Sequence, residues 1–333
     1  MADGRVTSVG PPGTVEVPAG ARVVDGAGCT LLPGFIDAHV HLGLVRPARV
    51  LAGGITTARD LGWERRTIHG LRQALAADPA AGPRLLAAGP MLTSPRGYPS
   101  RARWCPRGSA LEVRSAGEAR AAVGELAGWG AAVIKVAQEP RAGPTLPPDV
   151  LGAVVEASHG LGLRVTSHCG ALAELVRALD AGVDELAHGL WSDEAVPQAV
   201  MERMVEAGMV VVPTLHIDPS PARIDNLRRF LAGGGRVVYG TDMGNAGPPA
   251  GIDPAELALL VQAGMSVETA LAAATSGAAA YLGLEGRGHV AAGAAADLVL
   301  VEGDPAADLR VLARPRLVLR DGHDPSGGHQ AGV

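Results

Sequence analysis

The stretch LPGFIDAHVH, residues 32–41, runs from a short apolar segment into two histidines that are two positions apart. Side chains at positions i and i+2 of a β-strand lie on the same face, so His39 and His41 are predicted to point the same way at the end of this strand. The strand is the first of eight apolar or β-branched runs along the chain. They occupy residues 34–42, 54–61, 84–91, 131–137, 163–168, 183–188, 209–215 and 236–242.

Longer segments rich in Ala, Leu and Glu separate these runs, and their apolar residues are spaced by three and four, which is typical of helices. They cover residues 64–77, 116–129, 148–160, 171–181, 194–208 and 221–233. Eight strands that alternate with helices close more readily into a barrel than they make an open sheet. We therefore predict an α/β fold with a (β/α)8 TIM barrel over residues 33–287, and an open doubly wound sheet is the alternative. The apolar segment 266–282 is predicted as one buried amphipathic helix and not as a membrane span.

Both ends of the chain depart from this alternation. Their short β-type runs are punctuated by Gly, Pro and Asp, which is typical of strands joined by tight turns. The runs lie at residues 21–24, 297–301 and 316–319. We predict that residues 1–32 and 288–322 pair into a small β-sandwich formed by both termini, and that residues 323–333 are a flexible tail.

The composition and charge favour a globular protein with a small-molecule partner. With 47% hydrophobic and 19% charged residues, the 333-residue chain can bury a large core. Its net charge of -5 includes no long like-charged run, so we expect a small-molecule substrate and neither nucleic acid nor a membrane as partner. The amino terminus does not read as a signal peptide, and Cys29, Cys105 and Cys169 lack Cys-x-x-Cys spacing, which predicts a cytoplasmic setting. The sequence leaves open whether the protein forms a homo-oligomer.

Polar residues stand where several predicted strands end. Catalytic groups of a (β/α)8 barrel project from the carboxyl ends of its strands, so these residues are candidates for chemistry. They are His39 and His41 on strand one, Lys135 on strand four, His168 on strand five, His188 on strand six and Asp242 on strand eight. Any one of these histidines alone is more often a core or surface residue. Their joint position at one barrel mouth predicts a metal site, since imidazole and carboxylate suit several divalent ions.

Lys135 stands inside an apolar strand, where desolvation disfavours its charge. A neutral lysine reacts with carbon dioxide, and the resulting carbamate is an anionic ligand with two oxygens. The alternatives are a lysine that forms a Schiff base and a structural lysine in a salt bridge. The histidines around it favour the carbamate.

The sequence resembles the amidohydrolase superfamily, in the binuclear-metal branch that includes imidazolonepropionase-like and Xaa-Pro dipeptidase-like enzymes. The resemblance covers nearly the whole chain, and its most specific landmarks are the stretch at 32–41 and Gly-Thr-Asp at 240–242. Weaker landmarks are GITTARD at 54–60, VIK at 133–135, SH at 167–168, AHG at 187–189, VPT at 212–214 and ADL at 296–298.

The resemblance implies two divalent metal ions, with zinc as the first expectation among several suitable ions. One ion would be held by His39, His41, Lys135 and Asp242, and the other by Lys135, His168 and His188. A hydroxide would bridge the ions, and Asp242 would pass its proton to the leaving nitrogen. The implied reaction is hydrolysis of an amide-type C–N bond in an N-acyl amino acid, a dipeptide or a cyclic amide.

The loop 93–109 follows strand three, where relatives often carry a Gly-Gly-His sequence. Long polar loops over a barrel mouth commonly bind substrate. We predict that Tyr98 donates a hydrogen bond to a substrate carbonyl and that a loop arginine pairs with a substrate carboxylate. The arginines are Arg96, Arg101 and Arg103, and His216 after strand seven is a further candidate for orienting substrate. The alternative is a lid whose charges face water.

Two other functions are kept as alternatives. A mononuclear deaminase of the same superfamily would use one ion and a glutamate near strand five, and Lys135 argues against it. A catalytically silent barrel would serve as a binding scaffold, and the complete ligand set argues against that.

Overall fold

The computed structural model describes residues 1–11, 13–190 and 192–326, so that most of the predicted tail, residues 327–333, lies outside the described residues. The β-strands are β1 (Cys29–Pro33), β2 (Phe35–Val40), β3 (Ile55–Asp60), β4 (Arg84–Ala87), β5 (Met91–Thr93), β6 (Ala110–Glu112), β7 (Ile134–Gln138), β8 (Val165–Cys169), β9 (Glu185–Ala187), β10 (Val210–Val212), β11 (Arg236–Val237), β12 (Leu298–Glu302) and β13 (Leu317–Leu319). The α-helices are α1 (Pro47–Ala52), α2 (Arg65–Ala77), α3 (Ala116–Gly128), α4 (Pro148–Gly160), α5 (Leu172–Ala181), α6 (Gln198–Glu206), α7 (Pro221–Ala232), α8 (Pro254–Gln262), α9 (Val267–Ala273) and α10 (Ser276–Leu282).

The parallel strands form a (β/α)8 barrel, as predicted. One sheet has the order β2-β3-β4, and the other has the order β11-β10-β9-β8-β7-β5-β6. Backbone hydrogen bonds join the two sheets on both sides. Ala132 N, just before β7, donates to Ala87 O of β4 at 2.8 Å, and Asp242 N, after β11, donates to His39 O of β2 at 2.8 Å. The joined sheets place the carboxyl ends of β2, β7, β8 and β9 around one mouth.

The predicted third strand, residues 84–91, is two strands in the structure. β4 pairs with β3, whereas β5 pairs with β7 and β6. Gly89 has a left-handed backbone, with φ of 78°, and Pro90 has no N–H to donate. This Gly-Pro step interrupts the ladder, and the chain changes partners across it.

Most of the barrel strands are buried on both faces, which is typical of parallel sheets that are covered by helices. β2, β3, β7 and β8 are buried at every position. The helices α3, α4 and α5 pack their apolar side chains against the outside of the barrel. Polar side chains inside such strands must therefore find partners within the protein.

The two ends of the chain form a terminal β-domain. β1 pairs antiparallel with β12, and β12 pairs antiparallel with β13. The runs 297–301 and 316–319 are thus confirmed as strands. The predicted strand at 21–24 is wrong, because the segment is irregular and exposed.

The predicted single helix over residues 266–282 is also wrong, because it breaks into α9 and α10 at Thr275. Tyr239 N donates to Ala273 O at 3.0 Å, and Ile36 N donates to Ala274 O at 2.8 Å. These two carbonyl groups therefore accept hydrogen bonds from the barrel and not from the next turn of a continuous helix. No helix in the described part of the chain combines the length and apolar character that a membrane span requires.

Candidate active site

The carboxyl ends of the barrel strands surround a cavity of about 520 Å³. All six predicted ligand side chains line it: His39, His41, Lys135, His168, His188 and Asp242. Each of these residues is at least nine-tenths buried. The barrel therefore brings together side chains that are separated by as many as 203 positions in the sequence.

Asp242 lies at the centre of the histidine cluster. Its Oδ1 atom is 3.2 Å from His41 Nε2 and 3.4 Å from His39 Nε2, and its Oδ2 atom is 3.8 Å from His188 Nδ1. One ligand atom each from His39, His188 and Asp242 fall within 4.8 Å of one another. The ring centroids of His168 and His188 are 4.9 Å apart. These separations suit donors that share a metal ion.

Four buried polar atoms of the cluster make no hydrogen bond within the described residues. They are Lys135 Nζ, both ring nitrogens of His39 and Asp242 Oδ1. The 3.4 Å approach of His39 Nε2 to Asp242 Oδ1 lacks hydrogen-bond geometry. A buried polar atom without a partner is costly, so such atoms point to a group that binds there. Imidazole nitrogens, a carboxylate and a lysine derivative form a donor set that fits divalent metal ions.

Hydrogen bonds hold the outer ring nitrogens of two histidines, His41 and His188. His41 Nδ1 lies 3.3 Å from Gly62 O, and because a carbonyl only accepts, the ring donates there and its lone pair is on Nε2, the atom that faces Asp242. His188 Nδ1 lies 3.0 Å from Thr214 Oγ1. Metal-binding histidines usually donate their second ring N–H to a partner of this kind.

Burial sets the charge of the cluster. Desolvation, followed by the charges of neighbouring basic groups, holds the pKa values of His39 and His188 well below their usual range. Desolvation also lowers the pKa of Lys135 to about 8. For His41, burial lowers the pKa, but the interaction with the nearby Asp242 carboxylate outweighs it and the pKa is raised. The neutral imidazoles of His39 and His188 are the form that binds metals.

Asp37 ties the strand that carries the histidine pair to the strand that carries Asp242. Its Oδ1 atom accepts hydrogen bonds from His39 N at 3.0 Å and from Thr241 N at 3.2 Å, and its Oδ2 atom accepts from Thr241 Oγ1 at 2.5 Å. Burial raises the pKa of this carboxyl to about 7. The contacts fix the backbone on both sides of the cluster.

Three residues at the ends of the last barrel strands have a left-handed backbone. The φ angles are 75° at His188, 46° at Thr214 and 58° at Asp242. This conformation costs a non-glycine residue about 1–3 kcal/mol and recurs at active sites. Here it turns His188 and Asp242 towards the cavity and places Thr214 against His188.

The loop over the mouth contributes two aromatic walls. Tyr98, a predicted substrate contact, lines the cavity with its ring centroid 5.3 Å from that of His168. Trp104, which sequence reasoning missed, lies 5.4 Å from His41 and 6.2 Å from Tyr98. Burial raises the pKa of Tyr98 well above its usual range, so its hydroxyl stays a donor. The cavity is thus walled by aromatic rings opposite the histidines.

The other predicted substrate contacts lie away from the cavity lining of the described residues. Arg96, Arg101 and Arg103 are exposed. His216 is half-buried and bonds through Nδ1 to Asp253 at 2.6 Å.

Glu139 and Arg141 instead line the mouth, close behind β7. The hydrogen bond from His168 lowers the pKa of Glu139. Both residues follow Lys135 within six positions. Extending the strand-end rule into the next loop would have found them.

The barrel and the cluster at its mouth, together with similar solved structures, place the protein among the (β/α)8-barrel hydrolases. The chain belongs to the amidohydrolase family, whose model matches residues 30–323. A solved Xaa-Pro dipeptidase with methionine bound in its active site is similar, with a TM-score of 0.82 and 26% identity over 97% of this chain and 93% of that one. A prolidase complexed with N-methylphosphonate-L-proline has a TM-score of 0.78 and 25% identity over 97% and 93%. An uncharacterized protein of Mycobacterium tuberculosis (strain ATCC 25618 / H37Rv) is 30% identical over 362 residues, which are 97% of this chain and 90% of that protein.

Proposed function

We propose that this protein is a binuclear metal-dependent amidohydrolase that cleaves an amide-type C–N bond in an N-acyl amino acid, a dipeptide or a cyclic amide. The observation that carries the proposal is the convergence of four histidines, one lysine and one aspartate on one cavity. The similarity to solved structures of an Xaa-Pro dipeptidase and a prolidase supports a dipeptide-like substrate.

The residues divide into two ligand groups that share Lys135. One ion would be held by His39, His41, Lys135 and Asp242, and the other by Lys135, His168 and His188. Divalent ions, zinc first among them, act in such sites as Lewis acids that polarise a carbonyl and make water nucleophilic at neutral pH. A carbamate formed from the Lys135 amine and carbon dioxide, with release of one proton, would give each ion one oxygen.

Proton transfer is assigned to Asp242. Its carboxylate lies within 3.8 Å of three histidines and faces the cavity, so it can accept the proton that the attacking water loses. The same oxygen then donates the proton to the leaving nitrogen, which departs as an amine. Without that transfer, the nitrogen would leave as an unstable anion.

Substrate binding is assigned to the residues at the mouth. Tyr98 can donate a hydrogen bond from its hydroxyl to the substrate, and Trp104 offers an apolar wall. Arg141 is exposed at the mouth and lines the cavity, whereas Arg96, Arg101 and Arg103 are not among the lining residues, so we place the substrate carboxylate at Arg141. We further propose a small-molecule substrate and, from the free thiols of Cys29, Cys105 and Cys169, a cytoplasmic location.

The test is metal analysis combined with a substrate panel. Protein loaded with zinc should hold close to two ions per chain and hydrolyse members of a panel of N-acyl amino acids, dipeptides and cyclic imides. One ion per chain would favour the mononuclear deaminase, and none would favour the silent scaffold. Asp242→Asn should abolish turnover and keep the fold and most metal, and an active variant would refute the proton-transfer role.

Asp180→Asn is the matched control for this variant. Asp180 is exposed at the end of α5 and pairs with Arg203 on the surface, where an ion pair contributes about 0–1 kcal/mol. The control should turn over at the wild-type rate.

A further inference from the structure

The carboxylate of Glu139 contacts His168, although the proposed ligand groups do not include Glu139. Glu139 Oε2 lies 3.3 Å from His168 Nε2, and the side chain of Glu139 is 9% exposed. The other oxygen, Oε1, accepts a hydrogen bond from Arg141 N at 3.0 Å. Both carboxylate oxygens therefore have a hydrogen-bond partner, which holds the carboxylate next to Nε2 of His168.

This contact determines where the imidazole carries its lone pair. An ionised carboxylate only accepts hydrogen bonds, so His168 donates from Nε2 and the lone pair is on Nδ1. Two of the other histidines have neutral partners, Gly62 O for His41 and Thr214 for His188. A charged acceptor gives a stronger bond than a neutral one and makes the ring a more basic ligand.

Gly170 provides the space that the carboxylate occupies. It lies two positions after His168, and a Cβ atom built there would be 2.3 Å from Glu139 Oε2 and 2.5 Å from Glu139 Cδ. Real Cβ atoms do not approach so closely, so any larger residue would displace the carboxylate. Gly170 N also donates to Gln138 O at 2.8 Å, which links the end of β8 to the end of β7.

We propose that Glu139 is a positioning residue that orients His168 for the second metal ion, and that Gly170 is required because it leaves room for the Glu139 carboxylate. The inference rests on the proposed binuclear function. It predicts that two substitutions, one just after β7 and one just after β8, weaken the binding of the same ion although neither is at a ligand.

The experiment measures metal affinity in the full-length protein. Cobalt(II) is titrated into metal-free protein in competition with a chromophoric chelator, and the cobalt absorption bands report the coordination of each ion. Glu139→Ala and Gly170→Ala should each lower the affinity for the second ion, the one assigned to His168 and His188, about 10- to 100-fold and change its absorption bands. The affinity for the first ion should stay as in wild type. Glu139→Gln keeps an oxygen acceptor and should restore part of the affinity.

Gly152→Ala is the matched control, because Gly152 lies within α4 and a Cβ there meets no atom within 4 Å among the described residues. It should bind both ions as wild type does. The double variant Glu139→Ala/Gly170→Ala should be no weaker than Glu139→Ala alone, since Gly170 acts through Glu139. Additive losses would mean that Gly170 has a separate structural role and would overturn the proposal.

The outcomes separate the inference from the function on which it rests. If wild-type protein binds two ions, and Glu139→Ala and Gly170→Ala bind both ions with the wild-type affinity, the inference alone is overturned. Wild-type protein that binds fewer than two ions would overturn both. If Glu139→Ala does not fold, Gly170→Ala decides, because its clash is with the movable end of one side chain.

Discussion

Arg59 Nη2 lies 2.7 Å and 2.8 Å from the two carboxylate oxygens of Glu185, and both side chains are buried inside the barrel. Arg59 is on β3 and Glu185 is on β9, while Arg59 Nε donates to Ala38 O on β2 at 2.8 Å. The pair therefore connects three strands through the interior. Removal of one partner would leave the other charge buried without compensation.

Glu185→Gln should lower the free energy of unfolding by about 3–5 kcal/mol, because it leaves the Arg59 charge in the interior. Glu125→Gln is the control: Glu125 pairs with Arg65 at the surface, where about 0–1 kcal/mol is expected. Both are measured by chemical unfolding of metal-free protein. A loss for Glu185→Gln no larger than that of the control would contradict this role of the pair.

Lys135 is the only lysine in the sequence, although the chain has 29 basic residues. Protein incubated with 13C-bicarbonate should therefore show one side-chain carbamate resonance in carbon NMR. Lys135→Ala should lose this signal and most bound metal, and added short carboxylates should restore part of the metal by supplying the missing oxygens. Metal content that does not change in Lys135→Ala would refute the carbamate as a ligand.

Glu256 gives a prediction for the dependence of stability on pH. Burial raises the pKa of its carboxyl from 4.5 to about 8, so between these values the folded protein holds a proton that the unfolded chain has lost. The contribution of this group to the free energy of unfolding is complete below pH 4.5 and is lost as the pH rises to about 8. The free energy of unfolding falls by at most about 1.4 kcal/mol per pH unit over this range.

Glu256→Gln should remove this dependence, since the amide keeps an acceptor for His216 N but does not ionise. The measurement compares unfolding free energies of the two proteins across the range, both in the same metal state. Parallel curves for wild type and Glu256→Gln would show that Glu256 ionises normally in the folded protein.

The sequence predicted the barrel and the strand-end cluster because both depend on local periodicity and on one topological rule. His39, His41 and Lys135 could be placed because side-chain alternation and the carboxyl ends of parallel strands fix their direction. The helix break at Thr275 could not be predicted, because backbone donors from Ile36 and Tyr239 cause it and they are distant in sequence.

The cavity walls were harder to predict for a related reason. Trp104 and Arg141 lie in loops whose path depends on the strands beneath them, and composition did not separate them from residues such as Arg101 that lie outside the cavity lining. The relation between Glu139 and Gly170 depends on the pairing of β7 with β8. It also depends on the 2.3 Å between Glu139 Oε2 and a Cβ atom built on Gly170, which cannot be read from a single sequence.

The position of Arg141 leads to a prediction about substrate charge. Arg141→Ala should raise the KM about tenfold for substrates that carry a free carboxylate, because a charge-assisted hydrogen bond at a partly exposed site contributes about 1.5 kcal/mol. The KM for the same substrates with that carboxylate amidated should change little, and kcat should be retained for both. Arg101→Ala is the control, since Arg101 is exposed outside the cavity, and it should leave both KM values unchanged. Equal losses for charged and amidated substrates would show that Arg141 shapes the loop and does not bind the carboxylate, and a loss confined to Arg101→Ala would return that role to the loop over residues 93–109.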